Sequence, residues 1–261
     1  MIIFRNVSFT YPVGVKALEG INLEIGEGER IGVIGQNGSG KTTLMKLCNG
    51  LLKPTKGDVI VYEKNTKEHS IAQLARDVGY VFQNPDDQIF SSTIFKEVSF
   101  GPKNLGLKNK EKLVKESLES VGLWKVRNTH PYNFGYNTRK LIAIASVLAM
   151  NTKVIILDEP TTGQDPQGKK IVSGLIKKFR DRSFIVVSHD IDFIGENCDR
   201  VIVLNERKMV MDGPAHKVLS SPRLKKYNLR SPMITRVCKG VRGLPNDFVK
   251  VNELVSYIKS R

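Results

Sequence analysis

The chain is poor in cysteine: Cys48, Cys198 and Cys238 are odd in number and widely spaced. They lack the close partners that a disulfide framework or a zinc site needs, so a reducing cytosol is expected. Long apolar runs are also missing. Stretches such as Leu141 to Ala145 fall far short of the roughly 20 residues a membrane-spanning helix requires. The N-terminus, Met1-Ile2-Ile3-Phe4-Arg5, has no charged segment followed by a long apolar one, so no secretory leader is expected. Any membrane role is therefore expected to be peripheral, and no repeat or low-complexity linker divides the chain. Acidic residues are scarce at one end. Positions 207–261 hold 13 Lys+Arg against 3 Asp+Glu, a net +10 of the chain's +15. Such a basic tail could meet anionic lipid, nucleic acid or an acidic partner, or could be a solvated face.

With 261 residues the chain can bury a sizeable core as one large domain or two modest ones. Short Val- and Ile-rich runs alternate with longer amphipathic segments, which favours a mixed α/β fold. Strands are expected over Phe4 to Phe9, Ile21 to Ile25, Arg30 to Ile34, Asp58 to Val61, Gly79 to Phe82, Val154 to Leu157, Phe184 to Ser188 and Arg200 to Leu204. From about 92 to 150 strand signals disappear, and Leu113, Val114, Leu118 and Val121 share one helical face. That segment reads as a helical insertion. Ile171, Leu175, Ile176 and Phe179 form another amphipathic helix, placed as a βαβ crossover requires. Beyond Gly213 the pattern weakens, with Asn252 a candidate cap for a last helix through Ile258.

The run Gly35-Gln36-Asn37-Gly38-Ser39-Gly40-Lys41-Thr42 has the P-loop spacing. It follows the apolar strand Ile31 to Ile34 and precedes a segment, Thr42 to Asn49, that can continue as helix. Glycines let the backbone fold tightly, so that successive N–H groups and the helix N-terminus point at phosphate oxygens. Lys41 then meets the β- and γ-phosphates, and Thr42 offers a hydroxyl to Mg²⁺, which prefers oxygen ligands and keeps several waters. ATP·Mg²⁺ is the expected ligand.

Further along, the apolar strand Val154 to Leu157 ends in Asp158-Glu159-Pro160. Asp158 is expected to hold Mg²⁺ through water, and Glu159 to orient or deprotonate the attacking water. A second apolar strand, Phe184 to Val187, delivers Ser188-His189 at its carboxyl end, the edge where parallel α/β sheets bind ligands. His189 is expected near the γ-phosphate or the attacking water. Gln83, in Tyr80-Val81-Phe82-Gln83-Asn84-Pro85, could reach both the metal and that water.

Taken together these motifs resemble the nucleotide-binding subunit of an ATP-binding cassette (ABC) transporter from about Ile2 to Gly213. The resemblance implies a P-loop NTPase core with an antiparallel β subdomain and a helical insertion, an ATPase domain over 1–213, and a basic extension, possibly helical, over 214–261. It implies a nucleotide-binding set of Tyr11, Gly35, Asn37, Gly38, Ser39, Gly40, Lys41, Thr42 and Thr43, with Tyr11 stacking on adenine. The metal set is Thr42, Gln83 and Asp158, and the catalytic set Glu159, His189 and Gln83. Gln83 corresponds to the glutamine of the loop facing the transmembrane subunit. Thr161-Thr162-Gly163-Gln164-Asp165-Pro166 is similar to the loop that communicates across the dimer, with Gln164 where the family usually has leucine. Gln83 to Phe90 resembles the ATPases of energy-coupling-factor importers, which take up vitamins and transition-metal ions. Such a chain would work at the cytoplasmic face of the cell membrane, with a transmembrane coupling subunit and a substrate-binding membrane subunit.

One motif departs from the family. The signature Leu-Ser-Gly-Gly-Gln aligns with Phe134-Gly135-Tyr136-Asn137-Thr138. In the family its serine and glycine backbone bind the γ-phosphate held by the opposite subunit's P-loop. Gly135 has no hydroxyl, and Tyr136 and Asn137 put side chains where close backbone approach is needed. The expectation is a heterodimer with a normal-signature ATPase subunit, the alternative being that the altered loop closes over ATP through other donors. Two further readings stand beside the importer. One is a soluble cassette ATPase acting on nucleic acid or ribosomes, against which the single cassette counts, so no nucleic-acid partner is expected. The other is a regulatory subunit that binds ATP without hydrolysing it, against which Glu159 and His189 count.

Overall fold

The computed structural model describes residues 1–260. Its strands are β1 (Ile2–Thr10), β2 (Lys16–Ile25), β3 (Arg30–Gly35), β4 (Lys56–Val61), β5 (Lys64–Asn65), β6 (Val78–Val81), β7 (Val154–Asp158), β8 (Ser183–Val187), β9 (Arg200–Asn205) and β10 (Lys208–Pro214). Its helices are α1 (Lys41–Cys48), α2 (Ile71–Leu74), α3 (Ile94–Asn104), α4 (Lys110–Ser120), α5 (Tyr136–Ala149), α6 (Pro166–Lys178), α7 (Ile191–Asn197), α8 (Ala215–Ser220), α9 (Met233–Gly240) and α10 (Val251–Lys259).

Two sheets organise these elements. One is antiparallel, in the order β2-β1-β4-β5. In β1 the buried positions shift from Ile2 and Phe4 to Val7 and Phe9, and a register irregularity with Asn6 at φ +48° absorbs the change of phase. The other sheet runs β10-β9-β3-β8-β7-β6, parallel throughout except for β10 at its edge. Its central strands β7 and β8 are buried at every position, as expected of parallel strands covered on both faces.

Alternate residues of those strands feed two cores. Ile156, Ile185 and Val187 face the antiparallel sheet, with Leu44, Met45, Leu47 and Cys48 of α1 packed between the sheets. Ile155, Leu157 and Val186 face the helices, where Ile142 and Leu148 of α5 meet Val98 of α3 and Leu118 of α4. The same core continues into the tail through Ala215, Val218, Leu219, Leu224, Tyr227 and Val249.

The expected strands are all present within a few residues, and the segment from 92 to 150 is helical. The short β5 and the half-exposed edge strand β10 carry too little apolar pattern to stand out in sequence. The last helix corrects the cap assigned to Asn252: α10 starts at Val251 with Lys250 at the cap position. Glu253 Oε2 accepts hydrogen bonds from the Val249 and Lys250 amides at 3.3 and 3.2 Å. That carboxylate reaches back to the amides of the two residues leading into the helix, and Asn252 lies inside the first turn.

Candidate functional site

The loop between β3 and α1 is shaped by contacts that tolerate only glycine at two positions. A Cβ on Gly35 would lie 2.2 Å from the Leu204 carbonyl oxygen of β9 and 2.7 Å from Ser39 Oγ. Gly40 has φ +104°, and a Cβ there would lie 2.5 Å from the Ala17 carbonyl oxygen. Lys41 Nζ donates to the Gly35 and Gln36 carbonyls at 2.8 and 2.9 Å, spanning the loop it follows. Burial lowers its pKa, opposed by Glu159 and Asp158. Gln36 Nε2 donates to the Tyr227 carbonyl at 3.0 Å, which joins the loop to the tail.

A cavity of about 300 Å³ opens above this loop. Its walls include Tyr11, Asn37, Gly38, Gly40, Lys41, Thr42 and Thr43 on one side and Gln83, Asp158, Glu159 and His189 on the other. Five separated segments therefore converge, because β7 and β8 end side by side next to the P-loop strand β3. Gly35 and Ser39 do not line the cavity. Gly35 packs on β9, and Ser39 Oγ is buried in the loop without a hydrogen-bond partner. Tyr11 and Thr43 share a hydroxyl–hydroxyl bond of 2.9 Å, and the Tyr11 ring meets Phe9 edge-on at 4.9 Å.

The carboxylates differ in their surroundings. Asp158 accepts from Tyr80 Oη at 2.7 Å through Oδ2, whereas its Oδ1 is buried without a partner. Burial, reinforced by Asp158, raises the Tyr80 phenol well above its usual range, so that hydroxyl stays protonated as a donor. An unpaired buried carboxylate oxygen on a residue that lines the same cavity as Thr42 suits a hard divalent cation. Among the described residues no group of three His, Cys, Asp or Glu forms a complete metal cage. Mg²⁺ does not need one, since it is commonly held by one or two carboxylates plus phosphate and water oxygens.

Glu159 occupies the left-handed region, at φ +47°, a conformation that costs a non-glycine residue about 1–2 kcal/mol and is concentrated at functional sites. Its amide donates to the Val187 carbonyl at 2.9 Å. Its Oε2 accepts from the His189 amide at 3.3 Å and from Thr162 Oγ1 at 3.4 Å. His189 Nε2 lies 3.1 Å from Oε1, close enough for an ion pair when the ring is protonated, without the alignment of a hydrogen bond. Burial raises the Glu159 pKa against the opposing pull of His189. A carboxylate with raised proton affinity at the sheet edge is suited to general-base work.

Two buried polar residues were not among those picked out from the sequence. Tyr80 is the partner of Asp158. Lys140 of α5, fully buried, donates to the Phe82, Gln83 and Asp158 carbonyls at 2.8, 2.7 and 3.1 Å. Burial lowers its pKa to about 8, although Asp158 and Glu159 pull the other way. The signal for Lys140 is the second of two adjacent cations, Arg139 and Lys140, leading straight into the apolar run of α5.

The segment 134–138 forms the entry to α5. Gly135 caps the helix without a side-chain hydrogen bond. Tyr136 Oη donates to the Gln83 carbonyl at 3.1 Å, and its ring lies close enough to Gly163 that a Cβ there would meet it at 2.8 Å. Gln164 Nε2 donates to the Asn137 carbonyl at 2.9 Å, and Asp165 Oδ1 caps α6 through the Gly168 amide at 2.6 Å.

Residues 18–162 match the family described as ABC transporter. A Pyrococcus furiosus protein named as an ABC transporter ATP-binding protein is 44% identical over 245 residues, 92% of this chain and 94% of that protein. The energy-coupling factor transporter ATP-binding protein EcfA of Methanocaldococcus jannaschii is 39% identical over 240 residues, 89% of this chain and 86% of its own. Among solved structures, cbiO1 from Clostridium perfringens, part of the ABC transporter complex cbiONQ, superposes with a TM-score of 0.75. It is 34% identical, and the alignment covers 91% of this chain and 98% of that one.

Proposed function

From the premise that the chain belongs to the ABC transporter family as an ATP-binding, ATP-hydrolysing subunit, we propose that it energises an energy-coupling-factor importer as one half of a heterodimer. Similarity to EcfA and to cbiO1 supports the energy-coupling-factor class, and the solute proposed for it is a vitamin or transition-metal ion. The partner ATPase carries a normal signature.

The observation that carries the heterodimer is an asymmetry within this chain. Its phosphate loop and the ends of β7 and β8 supply Lys41, Thr42, Asp158, Glu159 and His189 to one cavity. Its signature segment offers no hydroxyl at Gly135, and the hydroxyl of Tyr136 is committed to the Gln83 carbonyl. In a head-to-tail dimer each ATP sits between the P-loop of one subunit and the signature of the other. Two copies of this chain would make two deficient sites, whereas a normal-signature partner completes the site built on this P-loop.

Within that site the loop amides and Lys41 bind the phosphates. Glu159, held by His189 and Thr162, accepts the proton of the attacking water, and Gln83 orients that water. When bound, Mg²⁺ neutralises phosphate charge, and Thr42, Asp158 and Gln83 are the residues that would hold it.

The same reading assigns the transmembrane coupling subunit to the apolar groove beside the Gln83 loop. Phe82 and Gln88 of that loop line it, together with the exposed Ile71, Phe90 and Phe100. Among the described residues no helix is long and apolar enough to cross a membrane. As a subunit of such an importer, the chain is proposed to sit peripherally at the cytoplasmic face, with a substrate-binding membrane subunit in the assembly.

The test is the ATPase rate per site for this chain alone and mixed with a normal-signature paralogue. A mixed rate well above that of either alone is expected. Equal rates per site would sink the heterodimer.

A further inference from the structure

The Gln83 loop is where the altered signature meets the nucleotide site. The main-chain oxygen of Gln83 accepts two hydrogen bonds from one helix, from Tyr136 Oη at 3.1 Å and from Lys140 Nζ at 2.7 Å. These residues stand one helical turn apart on α5 and therefore share a face. Lys140 also donates to the Phe82 and Asp158 carbonyls, so one ammonium ties the Gln83 loop to the end of β7. It is fully buried, and such bonds form where water does not compete.

Tyr136 approaches from the open side. It lines a cavity of about 490 Å³ together with Thr42, Gln83 and Asp158, the proposed metal set. Its position is held in turn by the loop after β7: the ring packs on Gly163, and Gln164 Nε2 donates to the Asn137 carbonyl in the same helical turn. A residue without a side chain at 136 could not span to the Gln83 carbonyl. The replacement that weakens the phosphate contact offered to a partner thus creates a contact to this chain's own site.

We propose that Tyr136 and Lys140 are positioning residues for this chain's own nucleotide site, fixing the Gln83 loop against the Asp158 end of β7 so that the Gln83 amide faces Thr42 and Asp158. The inference rests on the reading of Gln83 as a metal- and water-contacting residue. It gives α5 a role in cis, because a displacement of the helix carries Gln83 with it. Both residues act through Gln83 and neither is assigned contact with the reacting atoms.

The experiment titrates Mg²⁺ against binding of a fluorescent ATP analogue to the full chain, with urea midpoints measured in parallel. Wild type, Tyr136→Phe and Lys140→Met are compared, each also in a Gln83→Ala background. Tyr136→Phe is expected to raise the half-saturating Mg²⁺ concentration about fivefold and Lys140→Met about tenfold. Nucleotide affinity in EDTA should stay unchanged. In the Gln83→Ala background the carbonyl remains but no amide is left to aim, so neither substitution should shift the Mg²⁺ dependence further. A merely structural role would persist in that background, and such persistence overturns the proposal. Unchanged Mg²⁺ dependence in Tyr136→Phe, a substitution that keeps the ring, overturns it alone. A wild-type chain that binds no nucleotide overturns the proposed function and this inference with it.

Discussion

Replacing Tyr80 by Phe isolates the bond that holds Asp158. The 2.7 Å contact from Tyr80 Oη to Asp158 Oδ2 joins two buried residues, 8% and 1% exposed. The ring would keep its tilted packing on Phe82, at 5.0 Å between centroids, so only the hydroxyl is lost. A hydrogen bond to a charged group contributes about 1.5–3 kcal/mol. Here the other carboxylate oxygen already has no partner, so the substitution leaves the whole carboxylate buried and unpaired. A loss of about 2 kcal/mol is expected, which in a chain of this size lowers Tm by roughly 4–8 °C. Urea unfolding at pH 7 measures it directly. The same substitution in an Asp158→Asn background separates the charged bond from packing, and the two effects should fail to add by about 1 kcal/mol. A loss below about 0.5 kcal/mol, or an equal loss in both backgrounds, would refute the assignment of Tyr80 as the anchor of Asp158.

Lys41→Ala is expected to weaken ATP binding by at least about tenfold, as removal of a charged phosphate donor should; calorimetric titration giving wild-type affinity would contradict it. Glu159→Gln should retain ATP binding, trap the closed dimer and lower turnover by about 100-fold or more, measured by phosphate release. The same variant has a pH signature. Burial raises the Glu159 pKa, so the folded chain binds that proton more tightly than the unfolded one. The resulting stability is fully present below the unfolded carboxylate range, at roughly pH 4, and is lost as pH rises through the folded value. Glu159→Gln should therefore gain stability relative to wild type between acidic and neutral pH, and a constant gap in urea midpoints would count against the burial effect. Gly40→Ala must adopt φ +104° and bring a Cβ to 2.5 Å from the Ala17 carbonyl. A loss of about 3 kcal/mol is expected from backbone strain plus overpacking, with ATP affinity falling alongside; near-wild-type stability would show that the loop can move aside.

The expected elements with strong apolar signals agree with the structure because burial on both faces of a parallel strand leaves an unbroken Val and Ile run. β5 and β10 escaped notice because an edge strand satisfies its backbone on one side and needs no such run. Asn252 misled for a different reason. It is a good cap type lying one residue inside a helix whose cap position is Lys250, with Glu253 reaching back to the Val249 and Lys250 amides.

The candidate site divides in the same way. Gly35 to Thr42, Asp158, Glu159 and His189 were legible because their chemistry is written in contiguous runs: a glycine loop between strand and helix, and polar residues ending apolar strands. The altered signature was equally plain as a departure from a family pattern. Sequence alone marked that candidate phosphate site and the departure of residues 134–138 from the family signature. Only the tertiary structure decided what surrounds them. It brings Tyr80 to Asp158, and Tyr136 and Lys140 to the Gln83 carbonyl, across separations of 78, 53 and 57 residues. The physical reason is that Tyr80 reaches the Asp158 carboxylate only through the pairing of β6 with β7, and that main-chain carbonyls are acceptors at every position whatever the residue. No local pattern in the chain records which distant donor will reach one.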